Sequence, residues 1–149
     1  MTVTADWVNV FIESNLPPVH RMGVQIADLR PGYAAAEVPL EGNNNHFGTV
    51  YAGIQFTVAE ILGGAIGLAT FDPTKYVGTV KSAQIDYLKP AGTKLRATTS
   101  LSQADVDSAF ATLDATGNAE VVLDAEVTTE DGTIVAVTRS TYYVRTIGD

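Results

Sequence analysis

One carboxylate stands alone in the most apolar stretch of the chain. Between residues 52 and 69 the polar side chains are Gln55, Thr57 and Glu60, and Glu60 carries the only charge. A charged side chain is almost never fully buried unless it is paired or functional. Burial would raise the pKa of Glu60 towards neutrality, which suits a general base. By itself this feature is equally compatible with two roles for Glu60. One is catalytic, and the other is structural, in an ion pair or a dimer contact.

Three glycines follow Glu60 along the same helical face. Gly63, Gly64 and Gly67 lie three, four and seven positions after it, which is the spacing of one side of a helix. Each glycine costs roughly 1 kcal/mol relative to alanine inside a helix. We therefore expect something to approach this face closely: a strand, a partner subunit or an acyl chain.

The start of the same helix offers a second chemical component. The run from Gly48 to Gly53 leads into the helix, where the first backbone N–H groups have no partner within the helix. With the helix dipole behind them, these first N–H groups can polarise a bound carbonyl and stabilise a tetrahedral oxyanion. The small residues Ala52 and Gly53 leave room for a ligand there.

The surrounding sequence predicts the elements that would position these groups. We expect an N-terminal helix over residues 6–14, a central helix over 51–70 and a short extra helix over 102–115. Strands are expected at 24–29, 33–40, 76–88, 94–101, 120–129 and 134–145, the later four joined by hairpins. A long apolar helix needs cover on nearly every side, and a curved antiparallel sheet wrapped around it provides that cover. The fold class is therefore α+β, as one domain over residues 1–149.

The residues around the helix start resemble the site of a known superfamily. Asn45, Gly48, Thr49, Gly53 and Glu60 fall in register with the pattern Asn-x-x-Gly-Thr-x-His-Gly-Gly, six residues, then Asp or Glu. This pattern is typical of the phenylacetate-pathway-type acyl-CoA thioesterases, which have the hotdog fold. The similarity is closest to a branch in which Tyr-Ala-Gly and Ala-Glu replace His-Gly-Gly and Asp. It extends more weakly over residues 22–145.

The resemblance implies a role for each matching residue. Glu60 would be the general base, with a nucleophilic role less favoured, and Asn45 would orient the water or the carbonyl. The N–H of Ala52 or Gly53 would form the oxyanion hole. Tyr51 replaces the usual His, and its phenol can donate a hydrogen bond but shuttles protons less readily near neutral pH. Substrate-binding residues are expected among Tyr51, Gly48, Thr49, His46, Gly63 and Gly64.

The predicted function is an acyl-CoA thioesterase that releases free acid and coenzyme A, and two alternatives remain. His46 lies fourteen positions before Glu60, which is similar to the His/Glu pair of β-hydroxyacyl thioester dehydratases. There the His removes the α-proton and the carboxyl group helps to expel the hydroxyl. The other alternative is a non-catalytic acyl-thioester binding module, because a fold does not guarantee its chemistry. The extra helix over 102–115 is expected to reshape or cover the acyl pocket.

Composition and charge exclude several other classes. The chain has 17 acidic and 9 basic residues, which argues against nucleic-acid binding. It has no cysteine and two histidines, so no disulfide is possible and no metal site is predicted. No cofactor is expected apart from the coenzyme A of the substrate. Its phosphates would meet basic side chains, for which the candidates are Lys81, Lys89, Lys94 and Arg139.

The resemblance and the edges of the predicted sheet indicate how the protein assembles. The N-terminal residues and the central helix indicate where it is located. Related hotdog domains share their active site across a subunit seam, so we expect a homodimer or a homotetramer built as a dimer of dimers. The edges of the predicted sheet would also need cover. The N-terminus lacks the features of a secretory signal, and Glu60 together with the alternating strands argues against a membrane span. A cytoplasmic location is therefore expected.

Overall fold

Four helices and six strands form in the computed structural model, which describes residues 2–148. The helices are α1 Ala5–Asn15, α2 Pro17–Arg21, α3 Ala52–Thr70 and α4 Gln103–Thr116. The strands are β1 Gln25–Arg30, β2 Tyr33–Val38, β3 Tyr76–Tyr87, β4 Leu95–Ser100, β5 Asn118–Thr128 and β6 Ile134–Thr146. Only α2 has no counterpart in the sequence-based expectation. It begins at Pro17, and prolines fit the first turn of a helix because no intrahelical N–H bond is needed there.

The ends of the helices are set by local side chains. Ser102 caps α4 by accepting a hydrogen bond from the Asp105 N–H at 3.1 Å. Gly117 ends α4 with φ at 78°, a left-handed conformation that glycine adopts without strain. Thr4 caps α1 in the same way as Ser102, through the Trp7 N–H at 3.2 Å.

The six strands form one antiparallel sheet in the order β1-β2-β4-β5-β6-β3. The β5–β6 pair is the hairpin expected from the Asp131-Gly132 turn. The expectation that the later four strands follow one another as hairpins is wrong for β3. This strand pairs with β6 at the far edge, with Val80 opposite Tyr142. Pairing between distant segments is decided by the packing of the whole sheet, so local turn residues do not reveal it.

Helix α3 lies on the concave side of the sheet and provides the centre of the core. Nine of its nineteen residues are buried, and inward-facing residues of β5 alternate with exposed ones along the whole strand. By length and composition alone α3 could cross a membrane, but here it packs against the strands. One face, with Glu60, Gly64 and Gly67, is only partly covered. The predicted α+β hotdog arrangement, a curved sheet wrapped around a long central helix, is confirmed.

Candidate active site

The loop before α3 is organised by Asn45. Its Oδ1 accepts hydrogen bonds from the N–H groups of Phe47 at 2.9 Å and Thr49 at 3.1 Å, and its Nδ2 donates to Thr49 Oγ1 at 2.9 Å. Gly48 completes the turn with φ at 81°, where a side chain would be strained. Asn45, Gly48 and Thr49 are thus brought together. Within one chain, these bonds stabilise the loop; the role of Asn45 towards substrate stays a prediction.

Asn43 anchors this loop to the body of the protein and was not identified from the sequence. It is buried, and its Nδ2 donates to the carbonyl oxygens of Met22 at 2.7 Å and Pro39 at 2.9 Å. Its own carbonyl accepts a hydrogen bond from the Tyr51 N–H at 2.9 Å. The three consecutive asparagines at 43–45 predict a polar loop, but their sequence does not show that Asn43 is the buried one.

The N-terminus of α3 presents free backbone donors. The N–H groups of Ile54 and Gln55 bond to the Tyr51 carbonyl at 3.0 and 3.1 Å, whereas those of Ala52 and Gly53 have no acceptor within residues 2–148. A Cβ on Gly53 would lie 2.8 Å from Tyr51 Cε1, so the Tyr51 ring covers this glycine. The arrangement leaves two N–H donors beside the exposed Tyr51 phenol. Preorganised donors of this kind are what an oxyanion hole requires.

Aromatic and polar side chains hold the helix start in place. The Tyr87 hydroxyl donates to the Ala52 carbonyl at 2.9 Å, which ties the end of β3 to α3. Gln55 is buried and its Nε2 donates to the Val50 carbonyl at 3.0 Å. Gln55 Oε1 has no hydrogen-bond partner within residues 2–148. His46 lies outside this group of contacts: it is exposed, and its ring packs on Phe47 with centroids 3.9 Å apart.

Glu60 is half-buried in the middle of α3. Burial raises the pKa of its carboxyl group above the ordinary value of 4.5. The carboxylate has no ion-pair partner within residues 2–148, so the structural ion pair that the sequence left open is not formed within this part of the chain. A desolvated carboxylate without a cation is a stronger proton acceptor than an ordinary surface carboxylate, as a general base requires.

Beside Glu60 a cavity of about 380 Å³ lies between α3 and the strands. It extends from Glu60 to Phe71, and its lining is apolar apart from Glu60, Tyr76 and Tyr142. The lining residues are Glu60, Gly63, Gly64, Ile66, Gly67, Leu68, Phe71, Pro73, Tyr76, Val77, Gly78, Val80, Leu101, Val121, Leu123, Tyr142, Val144 and Ile147. An apolar cavity of this size with a few polar side chains in its wall is typical of a small-molecule site.

The glycines near Glu60 differ in what lies opposite them. Gly63 is covered by Tyr142, whereas a Cβ on Gly64 or Gly67 would meet nothing within 4 Å. The Tyr142 hydroxyl donates to the Glu60 carbonyl at 3.1 Å. Burial, together with the nearby Glu60 carboxylate, raises the pKa of Tyr142 to about 12. The phenol is therefore neutral at physiological pH. Tyr142 was missed from the sequence because it occupies an ordinary inward position of an alternating strand.

Three of the four basic residues considered for phosphate binding are engaged in ion pairs. The pairs are Lys81 with Glu120, Lys94 with Glu37 at 2.6 Å, and Arg139 with Asp124 at 2.7 Å. Lys89 is exposed and has no ion-pair partner in the described part of the chain. No cluster of three His, Asp or Glu side chains that could hold a metal ion occurs within residues 2–148.

Comparison with known proteins places this site in a family context. A family described as a domain of unknown function, DUF4442, matches residues 4–144. The crystal structure of PA5026 from Pseudomonas aeruginosa, a protein of unknown function described as a probable thioesterase, superposes with a TM-score of 0.92 at 31% identity over 99% of each chain. No curated protein sequence matches significantly.

Two more distant structures share the fold. Thioesterase HI1161 from Haemophilus influenzae superposes with a TM-score of 0.80 at 18% identity, over 100% of this chain and 95% of its own. A mutant of thioesterase PA1618 from Pseudomonas aeruginosa superposes with a TM-score of 0.78 at 16% identity, over 99% and 97%. At these identities the likeness extends to the fold and not to individual residues.

Proposed function

The chain belongs to the DUF4442 family, within the hotdog-fold thioesterase superfamily, and we propose that it hydrolyses acyl-CoA to free acid and coenzyme A. The description of PA5026 as a probable thioesterase supports a thioester hydrolase. The substrate class and the residue roles below are our own inference. The observation that carries them is the unpaired, partly desolvated Glu60 carboxylate on the wall of an apolar cavity.

Glu60 would act as the general base. As a water oxygen attacks the carbonyl carbon of the thioester, Glu60 takes one proton from that water and the carbonyl π electrons move to oxygen. The tetrahedral intermediate then collapses, the C–S bond breaks, and the sulfur leaves with the proton that Glu60 returns. Water is thus divided between the acid and the thiol, and Glu60 ends in its starting state.

The N–H groups of Ala52 and Gly53 would stabilise the oxyanion of this intermediate. They are unpaired in residues 2–148 and lie at the positive end of a nineteen-residue helix. Preorganised donors of this kind typically contribute a factor of about 10²–10³ to kcat. Tyr51, whose ring covers Gly53, is placed to contact the bound thioester at this end.

The base and the oxyanion donors of a single chain are far apart. Gly53 and Glu60 are seven residues apart on one helix, which corresponds to roughly 10 Å along the axis. A carbonyl held at the helix start therefore lies beyond the reach of a water molecule on Glu60 of the same chain. We infer that the working site combines Glu60 of one copy with the helix start of a second copy.

The sheet offers one open edge for such a second copy. At the β1 edge, Asn9 of α1 bonds to both the N–H and the carbonyl of Ile26, at 2.7 and 3.0 Å. At the opposite edge, nine of the twelve residues of β3 are exposed and none is buried. An exposed long edge strand is a template for pairing with another chain. We therefore propose a homodimer joined along β3, with a dimer of dimers as its possible further assembly.

Thiol release from a panel of short, long and aromatic acyl-CoAs tests this function directly. The wild type should release thiol, and Glu60→Gln should not, while the variant still binds the same acyl-CoA in calorimetry. Release that is independent of Glu60 would contradict the proposed base. Ligand retention without turnover by the wild type would favour the binding module, and activity on a β-hydroxyacyl thioester that requires His46 would favour the dehydratase.

A further inference from the structure

Three aromatic side chains pack together at the Phe71 side of the cavity. Phe71 follows α3, Tyr76 begins β3 and Phe110 lies on α4. The ring centroids of Phe110 are 5.2 Å from Phe71 and 6.0 Å from Tyr76, and those of Phe71 and Tyr76 are 6.3 Å apart. Phe71 and Tyr76 line the cavity, whereas Phe110 contacts both of them without lining it. We call these three residues the aromatic end wall.

Helix α4 holds Phe110 in this position. It occupies the connection between β4 and β5, is capped by Ser102 and ends at Gly117. Ala109 and Leu113 are its buried residues, and its contacts are mainly with β5. Because α4 is capped at both ends and packs along one face on β5, it holds Phe110 against the two rings in front of it.

The length of the cavity limits the acyl chain that it can hold. The lining residues that α3 and its C-cap contribute run from Glu60 to Phe71, and eleven helical steps span roughly 16 Å. An extended alkyl chain advances about 1.3 Å per carbon, from a C–C bond near 1.5 Å and tetrahedral geometry. The distance from the base to the end wall therefore accommodates about a dozen carbons.

The chemistry of the lining selects an aliphatic tail. Beyond Glu60 and the Tyr142 hydroxyl, which already donates to the Glu60 carbonyl, the walls are formed by aliphatic side chains, glycines, Phe71 and Tyr76. A hydroxyl or charged group in the middle of the tail, between Glu60 and the end wall, would lose its hydration without gaining a partner. Gly64 and Gly67 face open space, which leaves a smooth passage along α3.

We propose that the preferred substrate carries a straight, unsubstituted aliphatic acyl chain of up to about twelve carbons, and that Phe110 sets this upper limit by supporting Phe71 and Tyr76. The thioester part of this statement rests on the proposed function, whereas the chain-length limit rests on the cavity alone. Phe110 is a positioning residue, because it acts through the two rings that would touch the chain end.

Two variants should change the longest acyl chain that the cavity accepts, in opposite directions. Phe110→Ala removes the support of the end wall and opens space behind it, so longer chains should be accepted. Gly67→Leu places a side chain in the open passage, so longer chains should be excluded while butyryl remains. Leucine favours a helix more than glycine does, so this variant should retain the fold. Phe11→Ala is the matched control, because it removes the same side chain from α1, where Phe11 stacks on Trp7 with ring centroids 5.6 Å apart and does not line the cavity.

The experiment measures binding of saturated fatty acids from butyrate to palmitate by calorimetry, and hydrolysis of the corresponding acyl-CoAs and phenylacetyl-CoA. We expect the palmitoyl-to-octanoyl ratio of kcat/KM to rise at least about tenfold in Phe110→Ala and to fall in Gly67→Leu, with Phe11→Ala unchanged. The binding limits should shift in the same directions. If binding shifts but no acyl-CoA is hydrolysed, the chain-length proposal stands and the hydrolase proposal fails. Unchanged limits in both variants, or preference for phenylacetyl-CoA, would overturn the chain-length proposal.

Discussion

The phenol ring of Tyr142 occupies the space that a side chain at Gly63 would need. A Cβ on Gly63 would lie 1.9 Å from Tyr142 Cζ and 2.1 Å from its hydroxyl oxygen. The same hydroxyl donates to the Glu60 carbonyl. Of the three explanations that the sequence allowed for this glycine, close approach of a strand residue is therefore the correct one. The contact fixes α3 against β6 at the level of the proposed base.

We expect Gly63→Ala to destabilise the protein by about 1–3 kcal/mol, because the added methyl group forces Tyr142 or α3 to move. Gly64→Ala is the control, since its Cβ meets nothing within 4 Å and alanine is the better helix former. Urea unfolding of both variants measures the difference. The combined change of Gly63→Ala with Tyr142→Ala should cost less than the sum of the two single changes. Equal stabilities of the two alanine variants would contradict this contact.

Glu60→Gln should make the protein more stable at pH values above the raised pKa of Glu60, although it should abolish hydrolysis. Burial raises the folded-state pKa of Glu60, so the native state binds this proton more tightly than the unfolded chain. The stabilisation that comes from protonated Glu60 is therefore fully present below the pKa that this group has in the unfolded chain. It is lost as the pH rises through the higher pKa of the folded state. Thermal unfolding at about pH 4 and about pH 8 tests the sign: the variant should gain relative to wild type only at the higher pH.

The same pKa shift predicts the acidic limb of the activity profile. A general base must be ionised, so kcat/KM should rise with pH through the pKa of Glu60, at a value above the ordinary 4.5. Stopped-time thiol assays across the acidic range measure this limb. A limb at or below the ordinary carboxyl value would show that the group controlling the rate is not a desolvated carboxylate.

Much of the fold could be predicted because its signals are local. The capping residue Ser102 and the terminating Gly117 defined α4 to within one residue of the expected 102–115, and the period-two alternation defined β5. The edge position of β3 could not be predicted, since Val80 and Tyr142 lie far apart in sequence and pair only when the whole sheet forms.

The residues of the candidate site also differ in whether the sequence carries a signal for them. Glu60 could be identified because a lone charge among apolar residues conflicts with burial, and Asn45 because it falls within a motif. Tyr142, Phe110 and Asn43 carry no such conflict: each is an ordinary residue for its strand, helix or loop. Their importance arises from what they touch in the folded chain, which one sequence does not encode as a pattern.

Lys89 is expected to bind the phosphates of coenzyme A. It follows β3, two residues after the Tyr87 that bonds to Ala52, and it has no ion-pair partner within residues 2–148. Lys89→Ala should raise KM for acyl-CoA by up to about fivefold with kcat unchanged, as expected for an exposed charge contact. Arg139→Ala is the control, because that guanidinium is bound to Asp124. An N-acetylcysteamine thioester lacks these phosphates, so equal losses with it would argue against the assignment.

The oxyanion role of the helix start can be tested by removing one N–H without breaking the helix. Ala52 is the first residue of α3, and Tyr51 before it has ψ at 142°, a conformation that is compatible with a following proline. Ala52→Pro should lower kcat by about 10²–10³ with little change in KM. Ala52→Gly keeps the N–H and should retain most activity. Full activity of the proline variant would exclude the Ala52 N–H from the oxyanion hole.

Mixing two inactive variants tests whether the site is shared between copies. In a dimer of Ala52→Pro with Glu60→Gln, one site combines both defects, and the other combines an intact Glu60 with an intact helix start. Random assortment of equal amounts should therefore restore about a quarter of wild-type activity. If Glu60 worked with the helix start of its own chain, every site would carry one defect and mixing would restore nothing. The control replaces one of the two variants in the mixture by a chain that carries both Ala52→Pro and Glu60→Gln. No dimer in that mixture contains an intact site. Differently tagged copies, purified through both tags, confirm that the mixed dimer has formed.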